Sequence, residues 1–217
     1  MREVNPDTKK RLMHISTATL ATLLFKRGLR NQFIQGIVRL SKSSANMVGP
    51  AFTLRYMPAR EDRNGIEVFR DRNHPQRQAV EQCPPGSVMV IDSRKDARAA
   101  SAGGILVSRL FERGVAGVVT DGGFRDSDEI SQLGIASYHQ RPSAPTNLTL
   151  HEAIDINVPI GCGDAPIFPG DVLVGDADGV IVIPAEIVDE VAVQATEMTI
   201  FEDYVMSAVK KGQSILG

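Results

Sequence analysis

Residues 101–130 read SAGGILVSRLFERGVAGVVTDGGFRDSDEI, and this stretch decides the fold. Residues 105–113 carry apolar side chains at helical spacing and are followed by Gly114, a residue type that commonly ends helices. Residues 115–120 form a short, β-branched apolar run that is typical of a buried strand, and residues 127–133 predict a second helix. Because parallel strands need a crossover connection, which is usually a helix, the alternation predicts an α/β fold with central parallel strands.

The sequence before this stretch predicts further elements of the same kind. Residues 87–92 (SVMVID) predict another buried strand that ends on an acid, and residues 51–57 predict an extended segment. We expect a long loop over residues 60–73, before a short helix that begins near His74, and this loop could cover a site. Residues 6–26 predict a single opening helix.

The C-terminal part predicts a hairpin and a long helix. Short apolar runs at residues 172–174 and 180–183 flank a DADG turn at residues 176–179, which indicates a β-hairpin. After Pro184 the apolar residues repeat at helical spacing as far as Gly212, so we expect one amphipathic helix. Its apolar stripe would consist of Ile187, Val191, Ala195, Met198, Phe201, Val205 and Val209.

The composition is typical of a globular protein with a small-molecule ligand. The chain has 217 residues, which we interpret as a single domain over residues 1–217. Its 24 Lys and Arg residues nearly balance 26 Asp and Glu residues without any block of like charge, so neither nucleic acid nor a membrane is expected as a partner. The two cysteines lie far apart, and the N-terminus MREVNP leads into charged residues. We therefore expect a reduced, cytoplasmic setting.

Paired glycines precede both helices of the central stretch, at Gly103-Gly104 and at residues 122–123. In a parallel α/β arrangement such turns lie at the carboxyl ends of strands, where ligands bind, so the two turns are expected to converge. Free N–H groups around Ile105 and Leu106 can donate to a carboxylate or carbonyl oxygen that approaches the bare glycine backbone. A lone Gly-Gly pair is equally explained by tight packing or by a positive φ angle.

Arg125 and Asp126 follow the second glycine pair directly. The planar guanidinium of Arg125 matches a carboxylate with two parallel hydrogen bonds. Asp126 offers a hard carboxylate suited to Mg²⁺ or Mn²⁺, and Mg²⁺ usually takes only one or two protein carboxylates. Both residues also have a structural interpretation, because an arginine in a turn is often only solvated, and Asp126-Ser127-Asp128-Glu129 fits a capping box with Asp in the Ser/Thr role. The residues alone leave both interpretations open.

The stretch GGILVSRLFERGVAGVVTDGGFRD, residues 103–126, resembles the signature of the ribonuclease activity regulator A (RraA)-like family, which also contains 4-hydroxy-4-methyl-2-oxoglutarate aldolases. The resemblance extends to GDADGVIVIP at residues 175–184 and to EMTIFEDYVMSAVKKGQSILG at residues 197–217. It implies an αββαβ sandwich resembling the phosphohistidine swivelling domain. It also implies a homotrimer or a hexamer, with sites at subunit interfaces.

The resemblance also implies roles for the residues of the two turns. The aldolase motif Gly-x-x-Leu falls on residues 103–106, whose backbone would hold the oxygens of the oxo acid. Arg125 would hold the substrate carboxylate and would act in catalysis together with Asp126, which would bind the divalent metal.

One position departs from the family pattern and leaves the proton-transfer partner open. Aldolases of the family often place an acidic residue directly after the first glycine, where it can orient a water, whereas this chain has Gly104. An acid from the C-terminal helix of a neighbouring subunit, Glu197 or Glu202, is one alternative. The other is that these two residues lie on an exposed face of that helix.

We expect metal-dependent carbon–carbon lyase chemistry on a 4-hydroxy-2-oxo acid, with release of pyruvate. A metal chelated by the 1-carboxylate and 2-oxo oxygens would stabilise the enolate that forms when the bond breaks. The same electron sink would permit decarboxylation of oxaloacetate. The alternative from another class is a non-catalytic regulator that binds and inhibits an RNA-degrading enzyme.

Other enzyme mechanisms find less support in the residues. A Schiff-base aldolase needs a desolvated lysine, and the nearest candidate, Lys95, lies in the polar segment RKDAR. His74, His139 and His151 are isolated from any nucleophile motif, and we expect them on the surface or in loops. An S-adenosylmethionine-dependent methyltransferase would present a glycine-rich loop after its first strand, and no glycine directly follows the strand at residues 87–92.

Overall fold

The computed structural model describes residues 3–42 and 45–216. The remaining residues are Met1, Arg2, Ser43, Ser44 and Gly217. The first two residues of the N-terminal stretch and the last residue of the C-terminal stretch used above therefore lie outside the described residues.

Helices and strands alternate through most of the described chain. The helices are α1 (Pro6–Leu12), α2 (Thr17–Lys26), α3 (Pro75–Gln82), α4 (Gly104–Glu112), α5 (Ser127–Gln132) and α6 (Val188–Lys210). The strands are β1 (Val38–Arg39), β2 (Met47–Pro58), β3 (Val88–Asp92), β4 (Ala100–Ala102), β5 (Gly117–Thr120), β6 (Gly123–Phe124), β7 (Ala136–His139), β8 (Arg141–Pro142), β9 (His151–Ile156), β10 (Ile160–Cys162), β11 (Ala165–Ile167), β12 (Val172–Gly175) and β13 (Val180–Ile183).

The main sheet is mixed and curled, and its centre is parallel. Strands β2, β3, β5 and β7 are parallel neighbours, with Val88 of β3 opposite Gly117 of β5. Strands β12 and β13 continue the sheet beyond β2 as an antiparallel hairpin. The α/β class, the parallel centre, the hairpin and the C-terminal helix are therefore confirmed. The relation to the phosphohistidine swivelling domain and the single-domain interpretation stay predictions.

A smaller sheet continues three of these strands past their carboxyl ends. Strands β4, β6 and β8 follow β3, β5 and β7 along the chain and lie in the same order, all parallel. Strands of two or three residues are too short to show a period of two, so the sequence does not predict them. They carry the chain from the main sheet to the two glycine turns.

The alternating faces of β3 explain how the sheet is buried. Met89 and Ile91 pack in one cluster with side chains of α3, α4 and α5. Val88 and Val90, which point to the opposite face, pack in another cluster that includes β10 and β11. Helices α1, α2 and α6 form a third cluster against β12 and β13. Burial on both faces is the reason that these strands are continuously apolar.

The single opening helix predicted over residues 6–26 is wrong. The chain forms α1 and α2, which are separated at residues 13–16. The Oγ of Ser16 accepts the N–H of Thr19 at 3.0 Å, and such an N-cap satisfies a donor that a new helix would otherwise leave unpaired.

Helix α6 is confirmed, but its predicted apolar stripe is buried only in the first half. Val191 and Ala195 are fully buried, whereas Phe201 is 65% exposed and Val205 and Val209 are also exposed. The sequence period is the same in both halves, so it cannot distinguish a face that packs on its own chain from one that does not. Within the described residues, no helix combines the length and the apolar character needed to cross a membrane.

Candidate active site

The two glycine turns meet in space, as the sequence predicts. Strands β4 and β6 are neighbours, and the N–H of Arg125 donates to the carbonyl of Ala102 at 3.1 Å. A Cβ added to Gly103 would lie 2.6 Å from Nε of Arg125 and 2.9 Å from Oδ2 of Asp126. The φ of Gly103 is −124°, so a left-handed backbone is not the reason for this glycine. Its role is to let the arginine and the aspartate close over the backbone.

Asp126 points its carboxylate away from the helix that it precedes. Its Oδ2 accepts the N–H of Gly104, the first residue of α4, at 3.0 Å, and its side chain makes no capping bond to α5. The capping-box interpretation is therefore wrong. Asp126 has φ 56° and ψ 37°, a left-handed conformation that costs a non-glycine residue about 1 kcal/mol or more and that tends to persist at functional sites.

The guanidinium of Arg125 is partly exposed. Its Nε lies 3.6 Å from Oδ2 of Asp126, which is an ion pair but too long for a hydrogen bond. Within residues 3–42 and 45–216 the guanidinium forms no hydrogen bond, so its planar donor fork is available to a ligand. The predicted carboxylate clamp stays a prediction.

Free backbone N–H groups are predicted around Ile105 and Leu106, and within the described residues only that of Ile105 lacks an acceptor. Leu106 donates its N–H to the carbonyl of Gly103 at 3.1 Å, and the N–H of Gly104 is used by Asp126. The N–H of Ile105 has no acceptor among the described residues, and the Ile105 side chain is 81% exposed. Ile105 therefore supplies the free donor at the start of α4, where the helix dipole also favours an anion.

A cavity of about 250 Å³ opens beside this cluster. The residues that line it are Gly103, Ile105, Leu106, Arg125, Ala100, Ala102, Phe69, Gln76, Arg77, Thr146 and Asn147. Phe69 belongs to a 3-10 turn, Ile66–Arg70, within the predicted loop, so that loop does cover the site. Asp126 is not among the lining residues and lies at the edge of the cavity, which it meets through Gly103.

The cavity also has a polar wall, formed by Gln76, Arg77 and Asn147, which no sequence pattern predicts. Gln76 is buried and uses its amide nitrogen on Tyr56 Oη and on the carbonyl of Ser101, both at 2.7 Å, so it holds the wall together. Asn147 is 5% exposed, and its Nδ2 has no hydrogen-bond partner. An unsatisfied buried donor costs about 1–3 kcal/mol, which a ligand oxygen could repay.

Arg77 gives this wall a positive charge. Its guanidinium donates to the main-chain carbonyls of Phe69 and Asp71, and within the described part of the chain no carboxylate pairs with it. Among the described residues, no acid lines the cavity. Neither Arg77 nor Asn147 belongs to a motif, and only their convergence in space identifies them.

A second group of polar residues lies at the junction between the main sheet and the small sheet, and this group is buried. Asp121 is 1% exposed; its Oδ1 accepts the N–H of Ser93 at 2.7 Å, and its Oδ2 accepts those of Lys95 and Gly163, each at 3.1 Å. Burial raises the pKa of the Asp121 carboxyl although these backbone donors favour its charged form. With both oxygens in use, this aspartate ties three loops together.

The three histidines expected on the surface or in loops are buried, and only His74 lies outside a helix or strand, so the expectation is wrong for His139 and His151. His139 stacks on Phe124 with ring centroids 5.5 Å apart, and a ring nitrogen of His151 lies 3.1 Å from the carbonyl of Asp96. Burial lowers the pKa of His74, His139 and His151, that of His139 to about 4. None of the three lines the cavity, and the rings of His139 and His151, which stack on Phe124 and Tyr56, have a structural role.

Lys95 and the two acids of α6 are placed away from the cavity on this chain. The ammonium of Lys95 is half exposed and pairs with the carboxylate of Asp164, so it is not the desolvated amine that a Schiff base needs. Glu202 accepts a hydrogen bond from Thr19 Oγ1 at 2.6 Å, and Glu197 is exposed. A contribution of either acid to a neighbouring subunit stays a prediction.

Comparison with known proteins gives a family model and several relatives. The RraA-like family model, described as Aldolase/RraA, matches residues 17–182. A protein of Halalkalibacterium halodurans with the provisional name 4-hydroxy-4-methyl-2-oxoglutarate aldolase is 33% identical over 157 residues, which cover 72% of this chain and 68% of that protein. A Burkholderia mallei protein with the same provisional name is 34% identical over 121 residues, 54% of this chain and 70% of that protein.

A solved structure shares the fold over nearly the whole chain. It is Streptomyces coelicolor RraAS2, described as an unusual member of the RNase ES inhibitor RraA protein family. It superposes with a TM-score of 0.84 at 26% identity and covers 95% of this chain and 98% of that chain.

Proposed function

The chain belongs to the RraA-like family, and on that premise we propose that it is a divalent-metal-dependent lyase that cleaves a 4-hydroxy-2-oxo acid to pyruvate. We propose that the same site decarboxylates oxaloacetate. The observation that carries the proposal is the meeting of Arg125 and Asp126 over Gly103, beside a cavity without acidic lining. A carboxylate clamp and a hard anionic ligand at one point are what a metal-chelated 2-oxo acid requires.

The residues present fit a divalent cation. Asp126 is partly exposed and uses one carboxylate oxygen on a single N–H, so the group retains room for a cation. Within the described residues there is no group of three or more His, Cys, Asp or Glu side chains that could hold a metal. This donor set suits Mg²⁺ or Mn²⁺, which keep several waters and substrate oxygens as ligands, better than Zn²⁺. A cation bound there would supply a Lewis acid for the charge that develops on the substrate oxygens.

The chain's own groups bind and orient the substrate. Arg125 would hold the 1-carboxylate through its free donor fork, and the N–H of Ile105 would donate to an oxygen of the same end. The N–H of Ile105 is fixed before the reaction, because it lies in the first turn of a helix, and the backbone of Arg125 is anchored on Ala102. Donors that need no rearrangement lower the barrier as negative charge develops.

The polar wall of the cavity supports a substrate with a second negative charge. Arg77 faces the cavity without a carboxylate partner among the described residues, and Asn147 has a donor to spare. Two arginines and no acid around about 250 Å³ favour a dianion of modest size. Phe69 would shield the reacting carbons from water.

The test is a pyruvate-release assay on purified protein with 4-hydroxy-2-oxo acids and with oxaloacetate, in the presence of Mg²⁺ or Mn²⁺ and after EDTA. We expect turnover with metal and loss of turnover with EDTA. Metal-independent turnover, or a covalent adduct trapped by borohydride with pyruvate, would contradict the metal mechanism.

The regulator remains the second candidate, and one observation favours it. The second half of α6 exposes Phe201, Tyr204 and Met206. An apolar surface of this kind commonly marks contact with another chain. The other chain could be an RNA-degrading enzyme or further copies of this chain in the predicted homotrimer or hexamer. Absence of metal-dependent turnover on every substrate above would favour the regulator.

A further inference from the structure

Glu129 lies over the second glycine of the Gly103-Gly104 turn. A Cβ added to Gly104 would lie 2.8 Å from Oε2 of Glu129 and 3.3 Å from Cβ of Asp126. The carboxylate of Glu129 therefore fills the space that a side chain at residue 104 would enter.

The carboxylate of Glu129 is not engaged in the structure. Glu129 is exposed, and within residues 3–42 and 45–216 it forms no hydrogen bond and no ion pair. Its neighbour Asp128, in the same first turn of α5, accepts a hydrogen bond from Nε2 of Gln132 at 3.0 Å. The backbone of α5 is fixed because Ile130 is fully buried, so Glu129 is a free acid on an anchored helix.

Glu129 lies beside the residues proposed to hold the substrate and the cation. Arg125 and Asp126 approach the backbone at Gly103, and Glu129 approaches it at Gly104, the next residue. A Cβ added to Gly104 would touch both the Glu129 carboxylate and the side chain of Asp126, so these two acids flank the same point of the turn. An oxo acid held there by Arg125 would have Glu129 as its neighbouring carboxylate.

We infer that Glu129 is the proton-transfer residue of this site, and the inference rests on the proposed lyase function. Its carboxylate accepts the proton of the 4-hydroxyl group, and the O–H electron pair forms the new carbonyl at C4. The pair of the C3–C4 bond passes to the pyruvate enolate. The proton then returns from Glu129 to C3, which gives pyruvate and the free carboxylate, so that no further reactant is needed.

A purely structural role for Glu129 makes a different prediction. An acid in the first turn of a helix stabilises that helix through the dipole, and Asp128 occupies the same turn. Asp128→Asn removes an equal charge from the same helix and is the matched control for Glu129→Gln. A structural role would make the two variants alike.

The experiment compares these variants in pyruvate release, in exchange of the pyruvate methyl hydrogens with D₂O followed by NMR, and in binding of Mn²⁺ and oxalate by calorimetry. For Glu129→Gln we expect kcat to fall about 100-fold or more, which is the usual contribution of general acid–base catalysis. Methyl exchange should fall in parallel, while KM and the affinities for Mn²⁺ and oxalate stay within about twofold. Asp128→Asn should match the wild type throughout.

A second variant relocates the carboxylate. Glu129→Gln combined with Gly104→Asp should recover about tenfold of the lost kcat, because the new carboxylate grows from the position that Glu129 now covers. Wild-type kcat and exchange in Glu129→Gln would overturn the inference and leave the lyase function standing. Loss of Mn²⁺ or oxalate affinity equal to the loss of kcat would also overturn it. A wild-type protein that neither releases pyruvate nor exchanges its methyl hydrogens would refute the proposed function and the inference with it.

Discussion

Asp121 and Asp126 are five residues apart in the sequence, but their carboxylates have very different surroundings. Asp121 lies at the junction of β5 and β6, is buried, and accepts three backbone N–H groups. Asp126 lies beyond β6, is partly exposed, and accepts one. A carboxylate whose oxygens are all used organises loops, whereas one with capacity left over can bind a ligand. Burial and the number of hydrogen bonds, rather than residue type, make Asp126 and not Asp121 the proposed ligand.

The largest difference between the two should appear in activity. Asp126→Asn should lower kcat/KM for pyruvate release about 100- to 1,000-fold, since it removes a charge at the reacting oxygens. Asparagine tolerates the left-handed backbone, so the free energy of unfolding should change by less than about 0.5 kcal/mol. Steady-state kinetics and urea unfolding measure the two effects. Full activity in this variant would remove Asp126 from the site.

Asp121→Asn should show the opposite pattern. The new amide turns a donor toward backbone N–H groups, so we expect the free energy of unfolding to fall by about 3 kcal/mol. Urea unfolding at neutral pH measures this loss. A variant as stable as the wild type, with activity lost, would instead place a catalytic group at the buried junction.

A third effect concerns His139, which ends β7 beside the same junction. Its pKa is lowered from 6.5 to about 4 because burial disfavours the charged ring. The neutral ring therefore contributes stability that is complete above about pH 6.5 and is lost as the pH falls toward 4. Relative to His139→Gln, the wild type should lose about 2 kcal/mol of unfolding free energy between pH 7.5 and pH 5.

Urea unfolding at several pH values tests this difference. The raised pKa of Asp121 acts with the opposite sign, because its contribution grows as the pH falls. Asp121 is present in both proteins, so the difference between them isolates His139. Parallel pH profiles of the two proteins would show that the ring is not held neutral.

The smallest effect on activity is expected for Gly103, the glycine that Arg125 and Asp126 approach. Gly103→Ala would place a Cβ against the ends of Arg125 and Asp126, and both side chains can move aside. We expect kcat/KM to fall about tenfold, equivalent to about 1.4 kcal/mol, through misplacement of the clamp. Gly161→Ala is the matched control, since nothing lies within 4 Å of a Cβ added there. Equal activity of both variants would show that closure over Gly103 is not needed.

The sequence predicts the helices and strands that are long enough to show a clear apolar pattern, and it predicts the residues that belong to a motif. The strands at residues 88–92 and 117–120, the two helices between glycines, and the approach of Arg125 to Gly103 all follow from local pattern and topology. The capping interpretation of Asp126 fails because local sequence cannot show that its side chain turns to another helix.

Other features depend on distant parts of the chain, so no local pattern could reveal them. Arg77 and Asn147 come to the same cavity from distant parts of the sequence, and the short strands β4, β6 and β8 exist only through their mutual pairing. The burial of the histidines could not be predicted, because the sequence around an isolated histidine does not show whether its ring is buried. Phe201 follows the same helical spacing as the buried residues before it in α6. It is exposed because of its position in the second half of the helix, which the spacing does not reveal.

The central claim is that the divalent cation and the oxo acid meet at Asp126. A crystal grown with Mn²⁺ and soaked with pyruvate tests it most directly, because the anomalous signal of manganese locates the cation without reference to the protein. We expect one peak beside the carboxylate of Asp126, with pyruvate between it, the guanidinium of Arg125 and the N–H of Ile105. A peak at Asp121, or anywhere away from Asp126, would contradict the account.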